Sequence, residues 1–267
     1  MFVALTFNHG LQTDQGASYF ARRNDRAGPK WSDFVSDLEH IEYSTRDIDY
    51  RFRFPPDLRF LYVMVPKAGT TTISAALGVS LGLTTKETIE GGWRSSGTAH
   101  DDWERRTRHW MNLSRDEKNH LLRSPDVYRF TSVRHPFPRL LSVFLDKIQV
   151  NRELYHSTLL FPDPEEVPVF SEFLRRVAKE DKRTRDIHWQ TAFDLTLPDH
   201  ISYSKVIRFE NFESDTREVL QAINIPDEVP RPKYDFRAHE KVDQFYGPEE
   251  REIVQSAFSK DFQHFGY

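Results

Sequence analysis

The segment Arg59–Thr72, RFLYVMVPKAGTTT, decides the reading of this chain. Arg59–Val65 is a β-branched and aromatic run stopped by Pro66, which predicts a buried strand. From Thr71 onward Ile73, Ala76, Leu77 and Leu81 recur at helical spacing and predict a helix with one apolar face. Between strand and helix lies the turn PKAGTTT, Pro66 to Thr72. A helix start presents free N–H groups and the positive end of the dipole, so such a turn is an anion site in waiting. Gly69 permits close backbone approach, Thr70, Thr71 and Thr72 add hydroxyl donors, and Lys67 adds a full charge. Threonines that merely cap the helix would give the same letters. The lysine precedes the glycine, whereas a nucleoside triphosphatase loop has GxxxxGK followed by Ser or Thr.

Outward from this loop, strand and helix signals alternate. Ser114 and Glu117 form a capping-box pattern for a helix to about Leu122, and Tyr128–Val133 (YRFTSV) predicts a second core strand. Pro136 suits a first helical turn, and the helix after it is expected to bury Leu140, Leu141, Phe144, Leu145 and Ile148. A strand is expected at Lys205–Phe209, with helices at Phe170–Lys179, Phe212–Ile223 and Pro248–Lys260. Gly91–Arg108 reads as a functional loop or short helices, Tyr155–Val169 as a loop insertion, and MFVALTFNHG at the start as an edge strand. The alternation predicts an α/β fold: a P-loop-like parallel sheet flanked by helices, over residues 57–267, with residues 1–56 an extension packed on the core.

The 37 basic and 41 acidic residues of the 267 nearly cancel, so no global positive field points to nucleic acid or an anionic membrane. Any anion site must be local. Absence of cysteine excludes disulfides, thiol nucleophiles and thiolate metal sites. No stretch approaches the roughly 20 apolar residues of a membrane span. These features together predict a soluble cytoplasmic protein with no membrane partner.

A second anion-binding element follows the second strand. Arg134 ends that strand, and Ser142 lies eight positions later in the next helix, within VRHPFPRLLS. On a 3.6-residue period Ser142 falls on the side of His135 and Pro138, away from Leu140, Leu141 and Phe144. Arginine and serine are thereby expected to converge on one phosphate.

With PKAGTTT, VRHPFPRLLSVFLDKI, DIHWQ (Asp186–Gln190), VIRFENFESD and DFQHFGY in this order, the chain resembles the carbohydrate sulfotransferases. It is most similar to the group of chondroitin and related Golgi enzymes and more distantly to heparan sulfate 2-O-sulfotransferase. The resemblance runs from about Arg59 to Tyr267. It implies 3′-phosphoadenosine 5′-phosphosulfate (PAPS) as co-substrate and 3′-phosphoadenosine 5′-phosphate (PAP) as product, with no metal. Lys67, Ala68, Gly69, Thr70, Thr71 and Thr72 would hold the 5′-phosphosulfate, and Arg134 and Ser142 the 3′-phosphate. The acceptor is a hydroxyl of a glycan or a small alcohol.

In-line displacement at sulfur needs charge stabilisation, help for the leaving oxygen and a base. Lys67 suits the first two tasks. Similar 2-O-sulfotransferases carry a histidine between the two donor motifs, and here His100, His109 and His120 fill that interval. His100 is the first candidate base and His109 the second, with Glu104 a substitute and His120 placed on a helix surface. His188, in DIHWQ, is a candidate acceptor contact. A kinase related to the P-loop proteins and a silent sulfated-glycan-binding module using Arg105, Arg106 and Arg108 are the alternatives. No HExxH spacing or GxSxG elbow supports a zinc enzyme or a serine hydrolase.

Overall fold

The computed structural model describes residues 45–87, 108–151, 160–226 except 164 and 167, and 237–267. Helix α1 (Thr45–Arg51) leads into the short strand β1 (Phe52–Arg53). β2 (Phe60–Val63) is followed by α2 (Thr70–Ser80), and α3 (Arg115–Arg123) precedes β3 (Tyr128–Val133). Then come α4 (Pro136–Val143), α5 (Phe170–Lys179), α6 (Ala192–Thr196), β4 (Lys205–Arg208) and α7 (Phe212–Ala222). α8 (Pro248–Ala257) and α9 (Ser259–Phe265) complete the described elements.

The sheet runs β1-β2-β3-β4, with β2, β3 and β4 parallel, as expected. Phe60 pairs with Tyr128 and Val63 with Thr131, while Val133 pairs with Arg208. This register sets the carboxyl ends of the three parallel strands side by side, the edge where open α/β sheets bind ligands. β1 pairs antiparallel with β2, Phe52 opposite Val63, and lies within the segment read from the sequence as an extension.

Alternation along the strands fixes both faces. Phe60, Tyr62, Met64, Phe130 and Ile207 pack under Ile73, Ala76 and Leu77 of α2 and Val219 and Leu220 of α7. Leu61 and Val63 point the other way, into Trp110, Leu113, Leu121, Leu122 and Ile201. A separate helical cluster, with Leu140, Phe144, Ile148, Phe173, Val177 and Val254, joins α4, α5 and α8.

Three differences from the sequence expectations have physical causes. The helix predicted over Pro248–Lys260 breaks at Phe258, which is buried, so that Asp261 can turn inward. There its carboxylate accepts from the N–H groups of Ala192 (2.9 Å) and Phe193 (2.8 Å), closing the start of α6. Second, α4 has no solvent side: every residue from Pro136 to Val143 is buried, because the helix is packed on all sides. Third, α4 continues as a π-helical turn, Phe144–Val150, closed by Asn151 N–H bonding to Asp146 O at 3.0 Å. Such turns concentrate at functional sites. The edge strand expected at MFVALTFNHG, and His100, Glu104, Arg105 and Arg106, lie outside the described residues.

Candidate functional site

The turn after β2 is wound through two left-handed residues, Lys67 (φ 67) and Gly69 (φ 82). For a lysine this conformation is uncommon and costs about 1–3 kcal/mol, sustained only where the surroundings over-determine it. Arg134 supplies part of that restraint by donating from Nη1 to the Lys67 carbonyl (3.4 Å). At Gly69 the requirement is also steric: a Cβ there would lie 2.1 Å from Cε2 of Phe212. α2 starts at this glycine with no side-chain cap and no acidic residue in its first turn. Among the described residues the amides of Gly69, Thr70 and Thr71 meet no protein acceptor. Thr70 and Thr72 are buried and Thr71 is exposed. The uncapped amides fit a bound phosphate or sulfate group.

Arg134 is 5% exposed and stacks over the Phe209 ring, its guanidinium carbon 4.1 Å from the centroid. Phe209 and Phe212, which flank Glu210 and Asn211 just past β4, thus floor the site, one under Arg134 and the other against Gly69. Sequence reasoning gave this FENF stretch only a supporting place. Its signal was the pair of aromatics directly after a strand that ends on the ligand edge.

α4 brings a polar stripe to the loop. Arg139, Ser142 and Asp146 fall at i, i+3 and i+7, and all three are buried. Arg139, fully buried, donates from Nε to Pro66 O (3.2 Å). Its Nη2 reaches Gln190 O (2.6 Å) and His188 O (3.5 Å), and its Nη1 lies 4.0 Å from Asp261 Oδ2. Burial lowers its pKa to about 10, so it remains a cation. At the far end of the stripe the Asp146 carboxylate accepts from Lys67 Nζ at 2.9 Å. Ser142 sits between two residues that both touch Pro66–Lys67, on the helix side that His135 and Pro138 share. Arg139 and Asp146 were missed because a charge inside an apolar helix reads as an interruption; their shared spacing with Ser142 was the available signal.

The histidines divide by location. His188 is tied to the loop through Arg139, and Ile187 packs near Val65 and Ala68. Its Nδ1 is 2.7 Å from Asp186 Oδ1, which also accepts from the His188 N–H at 2.9 Å. This carboxylate sets the imidazole's orientation and places the proton on Nδ1. His109 instead precedes the turn Trp110–Asn112 on the Leu61–Val63 face, in the field of Asp49 of α1. His120 is exposed on α3, as expected. Arg108 is engaged by both of its Nη atoms with Glu117, at 2.6 and 2.9 Å.

Fold and site together define an α/β protein with an uncapped helix start at the carboxyl ends of parallel strands, flanked by Lys67, Arg134 and Arg139. A model described as the Sulfotransferase family matches residues 50–267, and the chain belongs to that family. It is similar to carbohydrate sulfotransferase 8 of Mus musculus, 27% identical over 206 residues, covering 69% of this chain and 46% of the relative. Carbohydrate sulfotransferase 9 of Homo sapiens is 27% identical over 238 residues, 78% of this chain and 51% of the relative. Carbohydrate sulfotransferase 10 of Xenopus laevis is 26% identical over 244 residues, 78% and 65%. The chain spans about half the length of the first two of these relatives. No solved structure matches it.

These relatives correct the cytoplasmic placement expected above, since they are carbohydrate sulfotransferases, the Golgi group whose resemblance the motifs carry. A chain without cysteine tolerates a reducing compartment but does not require one. Among the described residues no helix is long and apolar enough to cross a membrane.

Proposed function

We propose that this protein is a PAPS-dependent O-sulfotransferase that moves a sulfuryl group to a hydroxyl of a glycan acceptor. The observation that carries this reading is the uncapped start of α2, with Lys67 inside the turn before it and Arg134 bonded to that turn. When bound, PAPS supplies an activated sulfuryl group on a phosphate leaving group. Lys67 and the amides of Gly69–Thr71 stabilise negative charge on the transferring group and the oxygen it leaves. Thr70 and Thr72 add hydroxyl donors. Arg134 and Ser142 hold the 3′-phosphate, with the Phe209 ring keeping the guanidinium flat and in place.

The acceptor hydroxyl must lose a proton to a base. His100 and His109 are the candidates by position between the donor motifs. His188 has the geometry of an oriented base, because Asp186 fixes its tautomer with the lone pair on Nε2. The similarity to carbohydrate sulfotransferases supports a glycan acceptor.

The test is thermal stabilisation and calorimetry with PAP, beside ATP with magnesium, followed by labelled-sulfate transfer to a panel of glycans and small alcohols. PAP is expected to bind and raise Tm, with binding weakened at least tenfold in Lys67→Ala and Arg134→Ala. No response to saturating PAP, or a response to ATP–magnesium alone, rejects the reading. In transfer assays the base is the histidine whose replacement by asparagine removes turnover while PAP affinity is kept.

A further inference from the structure

The inference concerns the Lys67–Asp146 contact and rests on Lys67 being the donor-loop lysine. Lys67 Nζ lies 2.9 Å from Asp146 Oδ2, and the two side chains are mostly buried, at 16% and 8% exposure. The same Oδ2 is 3.8 Å from Lys147 Nζ. On its other side Asp146 Oδ1 accepts from Asn151 Nδ2 at 2.7 Å, and Nδ2 also bonds Asp146 O at 2.9 Å. These contacts lie in the π-helical turn Phe144–Val150. Within it the Asp146 carboxylate faces the loop while the ammonium of its neighbour Lys147 also reaches it.

An anion seated on the amides of Gly69–Thr71 competes with Asp146 for the Lys67 ammonium. Release of Lys67 takes a cation away from a mostly buried carboxylate, which is costly. Lys147 removes that obstacle, since it already shares the oxygen. We infer that Asp146 is a positioning residue that holds Lys67 beside the empty loop and hands it to the incoming 5′-phosphate, with Lys147 taking over the carboxylate. Asp146 therefore taxes donor binding, and Lys147 lowers the tax, as expected when the competent arrangement is only a fraction of the population.

Calorimetric titration of the full chain with PAP tests this, with adenosine 3′-phosphate as the control ligand that lacks the 5′-phosphate. Asp146→Asn is expected to tighten PAP binding about three- to tenfold, and Lys147→Ala to weaken it by a similar factor. Neither should alter affinity for adenosine 3′-phosphate. In the Asp146→Asn background Lys147→Ala should be silent, because its effect acts through the carboxylate. Additive effects in the double variant, shifts of the same sign, or no shift overturn the inference. Should Asp146→Asn fail to fold, an unweakened PAP affinity in Lys147→Ala overturns it alone. If the unaltered chain binds no PAP, the sulfotransferase reading itself fails; if it binds PAP and only Lys67→Ala matters, the hand-over fails and that reading stands.

Discussion

α2 and α3 begin in opposite ways. At α3, Ser114 Oγ accepts from Glu117 N–H at 3.2 Å, and the Glu117 carboxylate accepts from Ser114 N–H at 2.8 Å. Asp116 and Glu117 sit in the first turn, and Arg108 clamps Glu117 from outside. At α2 the cap position is a left-handed glycine, and the first turn holds only threonines. Every helix start has the same surplus of N–H groups. α3 spends its own side chains on them and gains about 1 kcal/mol by it. α2 forgoes that and leaves the amides of Gly69–Thr71 without a protein acceptor among the described residues.

The hardest way to break this contrast is at Gly69. Gly69→Ala must place a Cβ against Phe212 at φ 82, and a loss of about 2–4 kcal/mol in denaturant unfolding is expected. A loss under about 1 kcal/mol would mean that the loop rewinds without its left-handed residue. A subtler test gives α2 the charge that α3 has. Thr71→Asp, at an exposed position, should stabilise the free protein by about 0.3–1 kcal/mol while weakening PAP binding. Unchanged PAP affinity would show that these amides are not the anion site.

The smallest effect lies at α3. Hydrogen bonds from Arg108, then from the Ser114 backbone and hydroxyl, hold the Glu117 carboxyl down at about 2, against an ordinary 4.5. A depressed carboxyl contributes stability above its unfolded value and loses it as pH falls toward the folded one. Acid titration between pH 5 and 2 should therefore erode the unaltered protein slightly more than Glu117→Gln; equal slopes would remove the cap's electrostatic part.

Much of the fold was legible because its signals are local. YRFTSV is strand β3 to the residue, and the capping box at Ser114 forms as read. The donor turn was legible for the same reason, as strand, glycine and threonines in sequence. What escaped depends on partners far along the chain. The π-helical turn that aims Asp146 has no propensity signal of its own. The break at Phe258 follows from Asp261 finding α6. Phe212 explains Gly69 only once β4 lies beside β3. Ser142 was singled out as polar within an apolar helix, on the side of His135 and Pro138, but Arg139 and Asp146, which fall on that same side, were not read with it because their partners Pro66, Gln190 and Lys67 lie far along the chain.

The Arg139 guanidinium has a consequence for the order in which the molecule assembles. It bonds Pro66, 73 residues upstream, Gln190, 51 residues downstream, and faces Asp261 further on still. Contacts so distant form late, after large loops have closed. The anion turn, although written in seven consecutive letters, would then be among the last parts to take its native shape. Hydrogen exchange during refolding should find the Ile73–Leu77 amides protected early through the core, and Ala68 protected only when the α9 amides are.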